Sequence, residues 1–134
     1  MPDQPPKGGA PAQQDAGFAP PRDAGPAPAY DPEVVAELEA VFGRARLLNL
    51  LAGLGIEIDR RLRDPEAQRD ALARDAHALV SASGTLGFSA LSRACAALEQ
   101  ACHAGTGVGP ALAAARRSAE AASDAIDRLR VRAA

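Results

Sequence analysis

The stretch Leu72-Ala73-Arg74-Asp75-Ala76-His77-Ala78-Leu79-Val80-Ser81-Ala82-Ser83, continued by Gly84-Thr85-Leu86-Gly87-Phe88, decides how the chain is read. At about 100° per residue, Leu72, Ala76, Leu79 and Ser83 fall on one stripe, which is the spacing of a helix with a single buried face. His77 lies off that stripe, on the flank it shares with Asp70, Ala73, Arg74 and Ser81. The pattern predicts an imidazole that reaches solvent from a rigid helical backbone. Its neighbours one turn away, with Gly84 beyond them, are small and leave room for a convex partner. Gly84-Thr85-Leu86-Gly87 reads as the turn that ends the helix.

The same punctuation recurs on both sides of this stretch. Asp64-Pro65-Glu66 is a stop-and-restart signal that opens this helix, which runs to about Ser83. Ahead of it, Leu47, Leu51, Leu54, Ile58 and Leu62 recur at three and four, so a helix is expected to about Arg63. Gly53 and Gly55 sit inside that helix, where each costs about 1 kcal/mol relative to alanine; they suggest close contact with another helix. Asp31-Pro32-Glu33 supplies a cap, a first-turn proline and an acidic first turn. It opens a short helix through Val34, Val35, Leu38, Val41 and Phe42, with Gly43 as a break or a weak spot. Downstream, a helix is expected from about Ser89 to His103, ended by Gly105-Thr106-Gly107-Val108-Gly109. Pro110 starts the last helix, with Leu112, Ala115, Ala119, Ala122, Ile126 and Leu129 on one face. Four substantial helices with short connections predict an all-α, antiparallel four-helix bundle, the short first helix acting as an N-terminal lid.

Residues 1–29 differ in kind. They hold eight of the eleven prolines, four glycines and seven alanines, with Phe18 the only large apolar side chain. They read as a flexible tail, and residues 30–134 as the helical domain. In the whole chain of 134 residues, 47% are hydrophobic but only 3% aromatic, and much of the apolar share is alanine, which favours helix over sheet. A net charge of −2 argues against nucleic acid as a partner. No apolar run approaches the ~20 residues needed to cross a bilayer, and the first residues lack the pattern of a secretory signal. A cytoplasmic protein with no membrane partner is expected. Cys95 and Cys102 are seven apart, with Leu91 and Leu98 on their face, and read as small core residues. A disulfide between them is excluded by an axial separation of ~10 Å. Arg60, Arg61 and Arg63 read as solvated charges that complement a helix end.

The chemistry that suits His77 is nucleophilic. Hydrolysis needs a second catalytic group at a credible spacing, and none is evident. A metal site needs further ligands, and His103 is a helix away. Imidazole is a nucleophile whose neutral form is populated near pH 7, with a reference pKa of ~6.5. For in-line phosphoryl transfer the protein has mainly to position that nitrogen and leave its path open.

The run from Ala76 to Phe88 resembles the signature of histidine phosphotransfer (HPt) domains, above all the phosphotransfer domain of chemotaxis-type histidine kinases, where a similar Gly-Thr-aromatic-Gly-Phe turn follows the active helix. Leu91, Cys95, Leu98 and Glu99 continue the likeness, which spans about residues 33–132. The resemblance implies that His77 is the residue phosphorylated, on the ring nitrogen facing solvent. It implies that Glu99 accepts a hydrogen bond from the other ring nitrogen, which fixes the tautomer and ring angle. Two positions depart from the family. Val80 stands where a lysine is usual three residues after the histidine, and Ser81 where a glycine is usual. Arg74 is the best substitute for the missing charge on the same helix, and the Ser81 hydroxyl can donate to a phosphoryl oxygen. Ala73 and Gly84 belong to the expected docking flank.

The expectation is therefore a monomeric phosphocarrier of a multistep, two-component relay. It takes a phosphoryl group on His77 from a receiver-domain aspartate or a histidine kinase and passes it to another response-regulator aspartate. It has no kinase or hydrolase activity of its own and binds no cofactor, with Mg2+ expected in the partner receiver. The alternative is a non-phosphorylated HPt-like module that docks a receiver or kinase and inhibits or scaffolds it.

Overall fold

In a computed structural model, residues 28–63 and 68–133 are described. The expected tail, apart from its last two residues, and the Asp64-Pro65-Glu66 restart lie outside them. Five helices run in order: α1 (Pro32–Phe42), α2 (Arg44–Leu62), α3 (Arg69–Thr85), α4 (Ser89–Ala104) and α5 (Val108–Ala133). No strand occurs among the described residues. Helices α2 to α5 form the antiparallel bundle, each packed on its chain neighbour, with α5 closing the ring against α2.

The apolar stripes read from the sequence are buried in α2 and α3, whereas Val41 and Phe42 of α1 are exposed and Leu112 and Leu129 of α5 are half-buried. Leu47, Leu51, Leu54, Ile58 and Leu62 of α2 face Leu72, Ala76 and Leu79 of α3, Leu91, Cys95, Leu98 and Cys102 of α4, and Ala115, Ala119, Ala122, Ala125 and Ile126 of α5 in one core. The alanines on α5 let its backbone lie close to its neighbours. Ser83 is the one buried polar side chain among the described residues, and its hydroxyl donates to the Leu79 carbonyl one turn back. It therefore sits in the core with its polar atom satisfied.

Helix ends follow from capping chemistry. The Asp31 carboxylate accepts from the Glu33 amide at 2.9 Å, and Pro32 occupies the first turn of α1. Gly43 is the break between α1 and α2: with φ +85 it turns the chain while its N–H closes on the Glu39 carbonyl. α3 extends to Thr85, two residues past the expected end, and the turn shrinks to Leu86–Gly87. Gly84, expected in that turn, is thus helical. α5 begins at Val108, so Pro110 is its third residue; in a first turn its missing N–H removes no intrahelical bond.

Three expectations are corrected. Gly53 and Gly55 mark no close helix contact, because a Cβ at either would meet nothing within 4 Å. Arg61 is more than a solvated end charge. Half-buried, it donates to Glu57 on its own helix at 2.6 Å and to Asp75 on α3 at 2.8 Å, tying α2 to α3. Its guanidinium holds the Glu57 carboxyl below the usual carboxylate range. Ala73, expected on the exposed flank, is 7% exposed and belongs to the core edge. The α3 buried face is wide enough to take in this position, one step from Leu72.

The start of α1 is fastened to the α3–α4 turn. The Asp31 amide donates to the Gly87 carbonyl at 2.8 Å, and the Tyr30 ring lies 5.6 Å from that of Phe88, which is fully buried. Gly87 has φ +87, and a Cβ there would come within 3.0 Å of Val34. Gly87 therefore serves both the turn and the approach of α1.

Candidate functional site

The site lies between α3 and α4. Ser92 of α4 donates to the Val80 carbonyl at 2.9 Å, and a Cβ on Gly84 would lie 3.3 Å from the Ser92 hydroxyl. The two helices are thus held close near the turn. That proximity lets a side chain of α4 reach across to α3.

Glu99 makes that reach. The His77 Nδ1 lies 3.0 Å from Glu99 Oε2 and 3.2 Å from Oε1. An ionised carboxylate only accepts, so the contact assigns the ring proton to Nδ1, which donates to Glu99. The lone pair is left on Nε2. The His77 side chain is 75% exposed, whereas Glu99 is 24% exposed. The arrangement is a solvated nucleophile oriented by a sheltered carboxylate. The carboxylate also fixes the tautomer and the ring angle, which leaves the Nε2 lone pair directed to solvent.

A shallow open cavity of about 400 Å³ surrounds this pair, lined by Asp70, Ala73, Arg74, His77, Glu99 and His103. Arg74 is exposed and shares the cavity with His77, so a guanidinium is available to an anion bound there. Ala73 forms part of the cavity wall although it is itself buried. Ser81 and Gly84 are exposed on the same helix but lie outside the cavity lining. Gly84 has a local role in the α3–α4 approach described above. Val80, where a charge would stand three residues after His77, is half-buried and packs against the core, so it adds apolar contact in place of charge.

One residue set aside in the sequence belongs to the site. His103 is in the last turn of α4, and its Nε2 lies 3.6 Å from Glu99 Oε2. The signal was present: residues i and i+4 of a helix share a face. Distance along the chain from His77 hid it, because Glu99 provides the link between the two rings.

The cysteines lie one turn either side of Glu99 on α4, turned toward the core. Both are free and buried, and desolvation pushes the Cys95 thiol up to about 11.

This geometry has a counterpart among known proteins. The family profile of the Hpt domain matches residues 32–132. The chain belongs to the Hpt domain family. It is a histidine phosphotransfer module of the kind that works in phosphorelays, where such domains meet receivers or kinases. The crystal structure of histidine-containing phosphotransfer protein B from Pseudomonas aeruginosa PAO1 is similar in fold. It has a TM-score of 0.72 and 24% identity, and the match covers 80% of this chain and 98% of that one. No curated protein matches the chain. Among the described residues, no helix is long and apolar enough to cross a membrane.

Proposed function

We propose that this Hpt domain is a phosphocarrier that takes a phosphoryl group on His77 Nε2 and exchanges it with the aspartate of a response-regulator receiver domain. The observation that carries this reading is the pairing of His77 Nδ1 with Glu99 while the rest of the ring stays in solvent. Attack by the Nε2 lone pair forms a P–N bond as the P–O bond of the aspartyl phosphate breaks. The electron pair leaves on the receiver carboxylate. Nδ1 keeps its proton throughout, and its hydrogen bond to Glu99 strengthens as the ring gains positive character.

Arg74 is the group placed to offset charge on the incoming phosphoryl oxygens, a role Val80 cannot fill. Ser81, one turn beyond His77, offers a hydroxyl from the exposed flank. Ala73 and Gly84 keep that flank low enough for a receiver to approach. The Mg2+ that neutralises an acyl phosphate belongs to the receiver's own acidic pocket. The domain boundary lies near residue 30, with the preceding segment serving as a tail.

The test is incubation with phosphorylated receiver domains. The carrier acquires label that is stable to alkali and labile to acid, as a phosphoramidate bond is, and His77→Gln abolishes it. Arg74→Ala slows transfer several-fold; an unchanged rate removes Arg74 from the mechanism. The position of Val80 favours a second reading, a docking module without phosphorylation. Tight receiver binding with no label on the wild-type chain establishes that reading in place of the first.

A further inference from the structure

We infer that His103 is a positioning residue of the phosphotransfer site, acting through Glu99 to make the reactivity of His77 depend on a second proton. The inference rests on the reading of His77 as the phosphoryl acceptor and extends it to a residue that the sequence pattern does not reach.

The geometry is a shared carboxylate. Glu99 Oε2 is the atom closer to His77 Nδ1, at 3.0 Å, and the same oxygen lies 3.6 Å from His103 Nε2. The two rings come from different helices and do not need to touch to influence each other. His103 is 69% exposed. An imidazole changes charge in the range from about pH 5 to 8. When His103 is neutral, Glu99 presents its full charge to the Nδ1 proton of His77. When His103 is protonated, it forms an ion pair with Glu99 and draws charge density from Oε2. The Nδ1–H bond then weakens, and Nε2 loses nucleophilicity.

The surrounding charges do not mimic this effect. Asp70 and Arg74 of α3 line the same cavity, and Arg69 reaches Gly105 at the end of α4. Carboxylate and guanidinium groups keep their charge from about pH 6 to 8. The Cys102 thiol beside His103 is buried, and desolvation raises its pKa, so it remains neutral there. Glu99 and His103 are thus the pair through which a second proton acts on His77.

The experiment uses the full chain with phosphoramidate as donor, so that no receiver is required. The His77 Nε2–P bond forms as the donor P–N bond breaks, and ammonia leaves. Two substitutions separate charge from packing. His103→Lys fixes a positive charge and lowers the rate about threefold at about pH 8. His103→Gln removes the charge and raises the rate about threefold at about pH 6, the size expected of one exposed ion pair. A merely structural role moves both variants in the same direction. The His77 Nδ1 signal in ring 15N NMR reads the same coupling with no donor present. It shifts in His103→Lys at about pH 8 and in the opposite sense in His103→Gln at about pH 6, each relative to wild type at the same pH.

Variants that match wild type in that signal at both pH values overturn the inference, and so do shifts of the same sign in both. Failure of the wild-type chain to accept phosphate counts against the phosphocarrier reading alone, since the NMR signature decides the role of His103 without it.

Discussion

The two faces of the α3–α4 pair carry the chain's nucleophiles in opposite conditions. On one face His77 stands 75% exposed and is aimed by Glu99; on the other, Cys95 and Cys102 are buried in the core. A thiolate is intrinsically the stronger nucleophile, yet burial removes the charged form, and the Cys95 thiol titrates at about 11. The imidazole needs no charge to react, so solvent exposure favours it. On the proposed function, what separates the reactive group from the structural ones is its solvation and the presence of an orienting partner. The broadest way to break this contrast is to swap its members. His77→Gln is expected to remove all acid-labile label. The double variant Cys95→Ala, Cys102→Ala keeps labelling at the wild-type level, and a thiol reagent modifies the native chain only on unfolding. Label that survives His77→Gln but disappears with the cysteines reverses the assignment of the two faces.

The buried face also has a pH signature. The folded state holds the Cys95 proton up to about pH 11, whereas an unfolded thiol releases it near its ordinary value of 9.0. Between those values the unfolded state is favoured by proton release. Stability is therefore fully present below pH 9.0 and is lost as pH rises through the folded value. The loss reaches about 3 kcal/mol, because each tenfold difference in proton affinity between the two states is worth about 1.4 kcal/mol. Denaturant unfolding of wild type and Cys95→Ala between these pH values checks this. The variant starts less stable, because it leaves a small void, but its alkaline slope is shallower. Equal slopes mean that Cys95 is more hydrated than its burial implies.

On the exposed face, Glu99→Gln keeps a side chain of the same length and removes its charge. An amide oxygen still accepts from Nδ1, but it no longer stabilises positive charge on the ring. A rate reduction of about tenfold is expected, the lower range for loss of an orienting partner. Single-turnover labelling with a small phosphodonor measures it. An unchanged rate reduces Glu99 to a passive neighbour and leaves exposure alone to explain the contrast.

Legibility in the sequence followed the same division. The buried stripes of α2 and α3 could be read residue by residue, because helical periodicity sorts apolar side chains without knowledge of the partner helix. Asp31-Pro32-Glu33 gave the start of α1 for an equally local reason. His77 was marked by its place off the stripe and by the turn that follows it, and Glu99 came through resemblance to the HPt family. His103 was missed because its link to His77 passes through a carboxylate shared between two helices, and a wheel drawn for one helix cannot show that. The burial of Ala73 and the bridge from Arg61 to Asp75 were hidden for the same reason. Both depend on the distance between helices, which the periodicity of either one leaves open.

The glycines give the smallest effect and a comparison of their own. Gly87 is required by φ +87 and by Val34, whereas Gly53 and Gly55 lie in the helical interior of α2 with open space where a Cβ would be. A glycine in such a position costs about 1 kcal/mol relative to alanine through backbone entropy, with no packing gain to offset it. Gly53→Ala and Gly55→Ala are each expected to stabilise the domain by about 1 kcal/mol, and Gly87→Ala to destabilise it. Chemical denaturation of the three variants tests the assignment. Destabilisation by alanine at 53 or 55 would restore the close helix contact that their place in the sequence suggested, and would require a partner surface on α2. Stabilisation at both, with phosphotransfer unchanged, confines the small-residue requirement to the α3–α4 turn. There a positive φ and the approach of α1 exclude a side chain at Gly87, and Gly84 faces Ser92 where α3 and α4 lie close.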